Sequence, residues 1–139
     1  PVEYGRSEII RRGKKIAVLG VGSMIPSCME ICKGLKDDGY DPTFVNARFV
    51  KPLDVDLLDE LAKDHSLFVT VEENVKSGGY GEHVSAYMEA CHPEIRVLSA
   101  AVWDRFVPQG NVESLRSRIG LGVEDIRQAI EDSEELRKQ

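Results

Sequence analysis

The chain holds 139 residues, a length suited to one domain rather than two. Its 18 lysines and arginines against 24 aspartates and glutamates leave a formal net charge of −6, which excludes a general nucleic-acid binder, since such a protein needs a basic face to displace counterions from phosphates. With 42% hydrophobic and 30% charged residues the composition is that of a folded chain and excludes a disordered one.

In chain order, Ser7-Glu8-Ile9-Ile10-Arg11 is short and flanked by charge, as an edge strand would be. Ile16-Ala17-Val18-Leu19 is a buried strand leaving through Gly20-Val21-Gly22. Ile25, Cys28, Met29, Cys32 and Leu35 recur at helical spacing, with Ser23 as cap, Pro26 in the first turn and Gly39 as the stop. Residues 43–47 form a second strand, and Asp54 caps a helix with the stripe Leu57, Leu58 and Leu61. Residues 67–71 form a third strand closed by Glu72-Glu73-Asn74. A glycine turn then opens a helix carrying Val84, Tyr87, Met88 and Cys91. Residues 95–98 are a fourth strand. Two helices follow, one bearing Val112, Leu115 and Ile119, the other Val123, Ile126 and Ile130. Strands that are apolar along their length and alternate with helices predict a mainly parallel sheet covered on both faces, a three-layer α/β/α sandwich spanning residues 1–139 as a single domain.

The chemistry-bearing motifs are few. Cys28, Cys32 and Cys91 match no zinc spacing and read as small buried apolar residues of a reducing compartment. No apolar run reaches the ~18 residues of a spanning helix and no signal peptide is visible, which reads as a cytoplasmic protein without a membrane partner. Gly20-Val21-Gly22-Ser23-Met24-Ile25 follows a strand but lacks the third glycine of a dinucleotide fingerprint and the lysine of a P-loop. It reads as a tight turn whose helix N-terminus can accept an anion. Glu72 and Glu73 stand at a strand's C-terminal end, where ligands gather in parallel sheets. As strand neighbours they point to opposite faces, so they make no acid/base pair, and one of them can cap the helix that starts near Gly79. Gly78, Gly79 and Gly81 suit a turn packed closely on another surface. His65, His83 and His92 are scattered without metal spacing; His83 alone lies by the glycine turn. Arg48 suits a carboxylate or phosphate partner or a subunit contact. Arg48, Glu72, Glu73, Gly78, Gly79, Gly81 and His83 are thus the candidate site, read as an interface rather than a catalytic set.

Several stretches then carry a resemblance: Arg48-Phe49-Val50-Lys51-Pro52-Leu53-Asp54; Val71-Glu72-Glu73-Asn74 with Gly78-Gly79-Tyr80-Gly81; Asp104-Arg105-Phe106-Val107-Pro108-Gln109-Gly110; and Gly120-Leu121. In this order, from about Gly13 to Ile130, the chain closely resembles the last domain of the 1-deoxy-D-xylulose-5-phosphate synthase family. The resemblance implies the transketolase C-terminal-domain fold, a five-stranded mixed sheet whose first strand is antiparallel to the rest. It departs from the family at Trp103, where proline is usual. It implies a full enzyme, dimeric, that uses thiamine diphosphate and Mg²⁺ to condense pyruvate with glyceraldehyde 3-phosphate, with loss of CO₂. The product feeds isoprenoid, thiamine and pyridoxal synthesis. The cofactor's Gly-Asp-Gly … Asn motif is missing from this sequence, so no catalytic, cofactor-binding or metal residue is transferred to it. Pro1 in place of an initiator Met fits a piece of a three-domain polypeptide, with the upstream domains as partners. Two alternatives stay open: the corresponding domain of a 2-oxoacid dehydrogenase β subunit or other transketolase-like enzyme, and an independent anion- or small-molecule-binding module.

Overall fold

The structure, a computed structural model, describes residues 5–48, 52–73, 79–102 and 122–138. The expected helix with Val112, Leu115 and Ile119 lies outside the described residues, as do the motif at 104–110, Trp103 and Gly78.

Five strands form one sheet in the order β1-β3-β2-β4-β5. They are β1 (Glu8–Arg11), β2 (Lys15–Gly20), β3 (Thr43–Asn46), β4 (His65–Glu73) and β5 (Arg96–Val102). β1 runs antiparallel to β3, while every other pairing is parallel. The mixed sheet expected from the resemblance is therefore present. Between Ile9 and Arg11 the register of β1 slips, a bulge that twists this short, charged edge away from further pairing.

The four described helices are α1 (Ile25–Asp37), α2 (Val55–Ala62), α3 (Tyr80–Cys91) and α4 (Val123–Lys138). Alternate residues of each strand feed two cores. Ile16, Val18, Phe44, Leu67, Val69 and Val71 meet Cys28, Ile31, Cys32 and Leu35 of α1 with Ile126 and Ile130 of α4. Ala17, Leu19, Val45 and Phe68 meet Leu57, Leu58 and Leu61 of α2 with Val84 and Met88 of α3. The period of two along the strands thus sorts side chains between faces, and each fully buried large apolar side chain contributes about 1.5–3 kcal/mol.

Most local signals act as the sequence implies. The Asp54 carboxylate accepts from the Leu57 N–H at 3.2 Å, capping α2. Gly39 follows α1 with φ +95°, a backbone that L side chains resist. Ser23 is different. It lies in a 3₁₀ turn, Gly22–Met24, and α1 starts at Ile25 without a side-chain cap, since the Ser23 hydroxyl is spent on Glu73. Cys28 and Cys32 are buried as expected, but Cys91 is exposed because α3 ends there and turns its last residue outward.

His65 opens β4 as a side chain with no exposed surface. Its Nε2 lies 2.7 Å from the Thr43 hydroxyl, which accepts from the Gly13 N–H at 2.9 Å. Its Nδ1 lies 2.8 Å from the Leu61 carbonyl and 2.7 Å from the Asp64 carboxylate. With Thr43 donating to Nε2, the Nδ1 proton is shared between the Leu61 carbonyl and the Asp64 carboxylate. This lock ties the starts of three strands together at the end of the sheet away from the candidate site.

Candidate functional site

In an open parallel sheet the crevice for ligands lies where successive connections leave in opposite directions, beyond the strands' C-terminal ends. Here that point falls between β2, whose chain turns toward β3, and β4, whose chain turns toward β5. The residues on either side are Val21–Met24 and Glu72-Glu73.

Both glutamates are engaged. Glu72 turns to the α2/α3 face and spreads its carboxylate over the start of α3, where Oε1 accepts from the Tyr80 N–H at 3.0 Å and Oε2 from the Gly81 N–H at 2.7 Å. An anion placed on unsatisfied N–H groups at the positive end of a helix is the charge arrangement such a terminus favours. Glu73, the next strand residue and so aimed oppositely, accepts a hydrogen bond from Ser23 and bridges the crevice from β4 to the turn after β2. The two features of the candidate site able to attract an anion, the α3 terminus and the crevice mouth, therefore each carry a carboxylate of the chain itself. That repels a second anion and disfavours an anion-binding module.

Gly81 is the hinge of this packing. A Cβ there would sit 2.7 Å from Glu72 Oε2, 2.8 Å from Thr70 Oγ1 and 3.0 Å from Ser99 Oγ, so only a hydrogen lets α3 settle on β4 and β5. Thr70 itself is fully buried, and among the described residues its hydroxyl has no hydrogen-bond partner. Tyr80 is buried, and that burial pushes its phenol well above the ordinary range, with the Asp54 and Glu72 carboxylates adding to the effect. His83 stands half-buried one turn into α3, its Nε2 shielded and without a partner among the described residues.

Arg48 lies elsewhere. Strand β2 separates β3, which it follows, from β4. Arg48 Nη2 meets Glu8 Oε1 at 2.8 Å, so the carboxylate partner foreseen for it belongs to β1 of the same chain. Its backbone is left-handed, φ +60°, with its N–H donating to Asn46 Oδ1 at 3.0 Å. The expected cluster thus resolves into Glu72, Glu73, Gly79, Gly81 and His83 at the β4–α3 junction, with Arg48 at the β1–β3 edge; Gly78 lies outside the described residues.

Nothing in this set matches a thiamine diphosphate–Mg²⁺ site. The carboxylates are committed to N–H and hydroxyl donors, and among the described residues no three His, Cys, Asp or Glu side chains gather as cation ligands. No step through the cofactor is therefore assigned to this chain.

The profile of the transketolase C-terminal domain matches residues 5–126. The chain belongs to the transketolase C-terminal domain family. Among curated relatives of this family member, the 1-deoxy-D-xylulose-5-phosphate synthase of Dictyoglomus thermophilum is 40% identical over 129 residues, covering 93% of this chain and 21% of that protein. The enzyme of the same name from Lachnoclostridium phytofermentans is 40% identical over 124 residues, covering 88% and 20%. The chain therefore spans about a fifth of the length of these relatives. A solved split-gene transketolase, described as an inactive β4 tetramer, superposes with a TM-score of 0.76 at 29% identity, over 94% of this chain and 43% of that one. Transketolase from Campylobacter jejuni shares the fold, with a TM-score of 0.57 at 16% identity over 92% and 18% of the two chains.

Sequence reasoning reached a cap by one of the two glutamates, because a strand-terminal acid a few residues before a glycine-led helix is a local signal, and the structure assigns it to Glu72. It missed the Glu73–Ser23 bridge, which joins residues 50 apart.

Proposed function

We propose that this chain is the C-terminal domain of a 1-deoxy-D-xylulose-5-phosphate synthase, in which it packs against upstream domains of the same polypeptide and supplies no reacting group. The single observation that carries this reading is the ordered 40% identity that covers 93% of this chain and 21% of a synthase. The full enzyme, a cytoplasmic dimer, would join pyruvate to glyceraldehyde 3-phosphate with loss of CO₂, using thiamine diphosphate and Mg²⁺ held by the upstream domains. The commitment of Glu72 and Glu73 to their own chain supports a structural role for the β4–α3 junction. The start of α3 around Gly79 and His83 and, separately, Arg48 at the β1–β3 edge would serve domain or subunit contact, whereas Gly81, buried against its own sheet, would act by letting α3 pack there. The β-subunit alternative predicts activity only with a separate α subunit. The test is product formation by the full-length gene product from the two substrates with both cofactors present. Synthase turnover supports the reading, and its absence in a folded, cofactor-saturated preparation overturns it.

A further inference from the structure

On the face opposite α2 and α3, β1 and α1 leave an open groove of about 470 Å³. Its floor is apolar, built from Ile25, Cys32 and Phe44. Ile10 and Met29 stand in it 47% and 59% exposed, and they are the large hydrophobic side chains that the described residues leave exposed. That both border one groove marks an interaction surface rather than scattered surface apolarity. Ile10 sits at the β1 bulge, a device that re-aims a side chain.

We infer that this groove seats an apolar ridge flanked by carboxylates, contributed by the part of the longer polypeptide that lies outside this chain. The inference rests on the synthase reading given above. Three observations choose this occupant. The matched synthases run more than four times the length of this chain, so most of such a polypeptide is available to cover it. The charged lining is Arg11, which is paired with Asp41, together with Lys33, Lys36 and Asp37; Lys33 and Lys36 carry no ion pair among the described residues and outnumber the one carboxylate, so on a chain that is acidic as a whole they call for an acidic flank. The half-exposed Ile10 and Met29 make a shallow seat, whereas a small-molecule site encloses most of its ligand. A second copy fits less well, since a twofold contact of groove on groove brings together two linings in each of which Lys33 and Lys36 outnumber Asp37.

The test places a photo-cross-linking p-benzoylphenylalanine at Met29, and separately at Ile10, in the full-length gene product. The expected result is cross-links within one polypeptide to a peptide upstream of Pro1 that carries apolar residues next to Asp or Glu. Adding Lys33→Glu and Lys36→Glu should lower their yield about threefold or more. Cross-links joining the grooves of two copies overturn the inference, as does the absence of upstream cross-links from both positions. Turnover by the same preparation is read separately. An active enzyme without the cross-link sinks the groove alone, whereas an inactive one sinks the synthase reading.

Discussion

Replacing Glu72 by alanine strips the start of α3 of its anion. Two N–H groups, those of Tyr80 and Gly81, lose acceptors at 3.0 and 2.7 Å, and both residues are buried, so water replaces the carboxylate poorly. A hydrogen bond to a charged group contributes about 1.5–3 kcal/mol, and loss of a helix cap costs about 0.5–2 kcal/mol. Because one carboxylate serves both donors, these contributions overlap, and Glu72→Ala should cost about 2–4 kcal/mol in total. Glu72→Gln keeps the volume and one acceptor but loses the charge and turns an amide toward a donor, for about 1–2 kcal/mol. For a chain of this size 2–4 kcal/mol lowers Tm by about 10 °C. Urea unfolding followed by far-UV circular dichroism should show the midpoint falling in the order wild type, Gln, Ala at unchanged slope. Glu72→Ala within about 0.5 kcal/mol of wild type, or the two variants indistinguishable, would refute the assignment of this carboxylate to the helix terminus.

Gly81→Ala should destabilise by about 1–3 kcal/mol, because its Cβ meets three side-chain atoms at once, and Thr70→Ala in the same chain should recover part of the loss, as a double-mutant cycle in denaturant would show. Thr70→Val, which swaps a buried hydroxyl without a partner for a methyl, should be neutral or stabilising by up to about 1 kcal/mol. Burial pushes the Cys28 and Cys32 thiols up to about 12, so native-state thiol titration at pH 8 should count Cys91 alone, with all three reacting after unfolding. The Asp59 carboxyl is held below its ordinary value by hydrogen bonds from His92 and then Tyr87. A depressed folded value stabilises above the ordinary carboxylate pKa and is lost as pH falls through the depressed one. The Tm gap between wild type and Asp59→Asn should therefore be open at about pH 6 and closing toward about pH 3.

What could be read from the sequence alone was the part carried by short-range pattern. The run at 16–19 and the stripe at Leu57, Leu58 and Leu61 each fix an element and its buried face within one window, and Asp54 and Gly39 mark ends through local backbone chemistry. The antiparallel β1 needed the family resemblance, since Glu8–Arg11 has no periodicity long enough to give a direction. At the candidate site a cap by one of the two glutamates was within reach because donor and acceptor are eight and nine residues apart. The rest was hidden because it depends on which strands become neighbours. Ser23 serves Glu73 only because β2 pairs with β4, and Arg48 finds Glu8 only because β1 folds back on β3. The groove was hidden for the same reason, as Ile10 and Met29 are ordinary apolar residues until the sheet edge sets them on one opening.

The central claim, that this domain braces a synthase without touching its chemistry, is tested most directly by kcat/KM for pyruvate in the full-length enzyme carrying Glu73→Gln and His83→Gln together. The account predicts a value within about threefold of wild type with the fold intact, a change of less than about 1 kcal/mol in transition-state binding. A loss of about a hundredfold or more in a properly folded enzyme would contradict it.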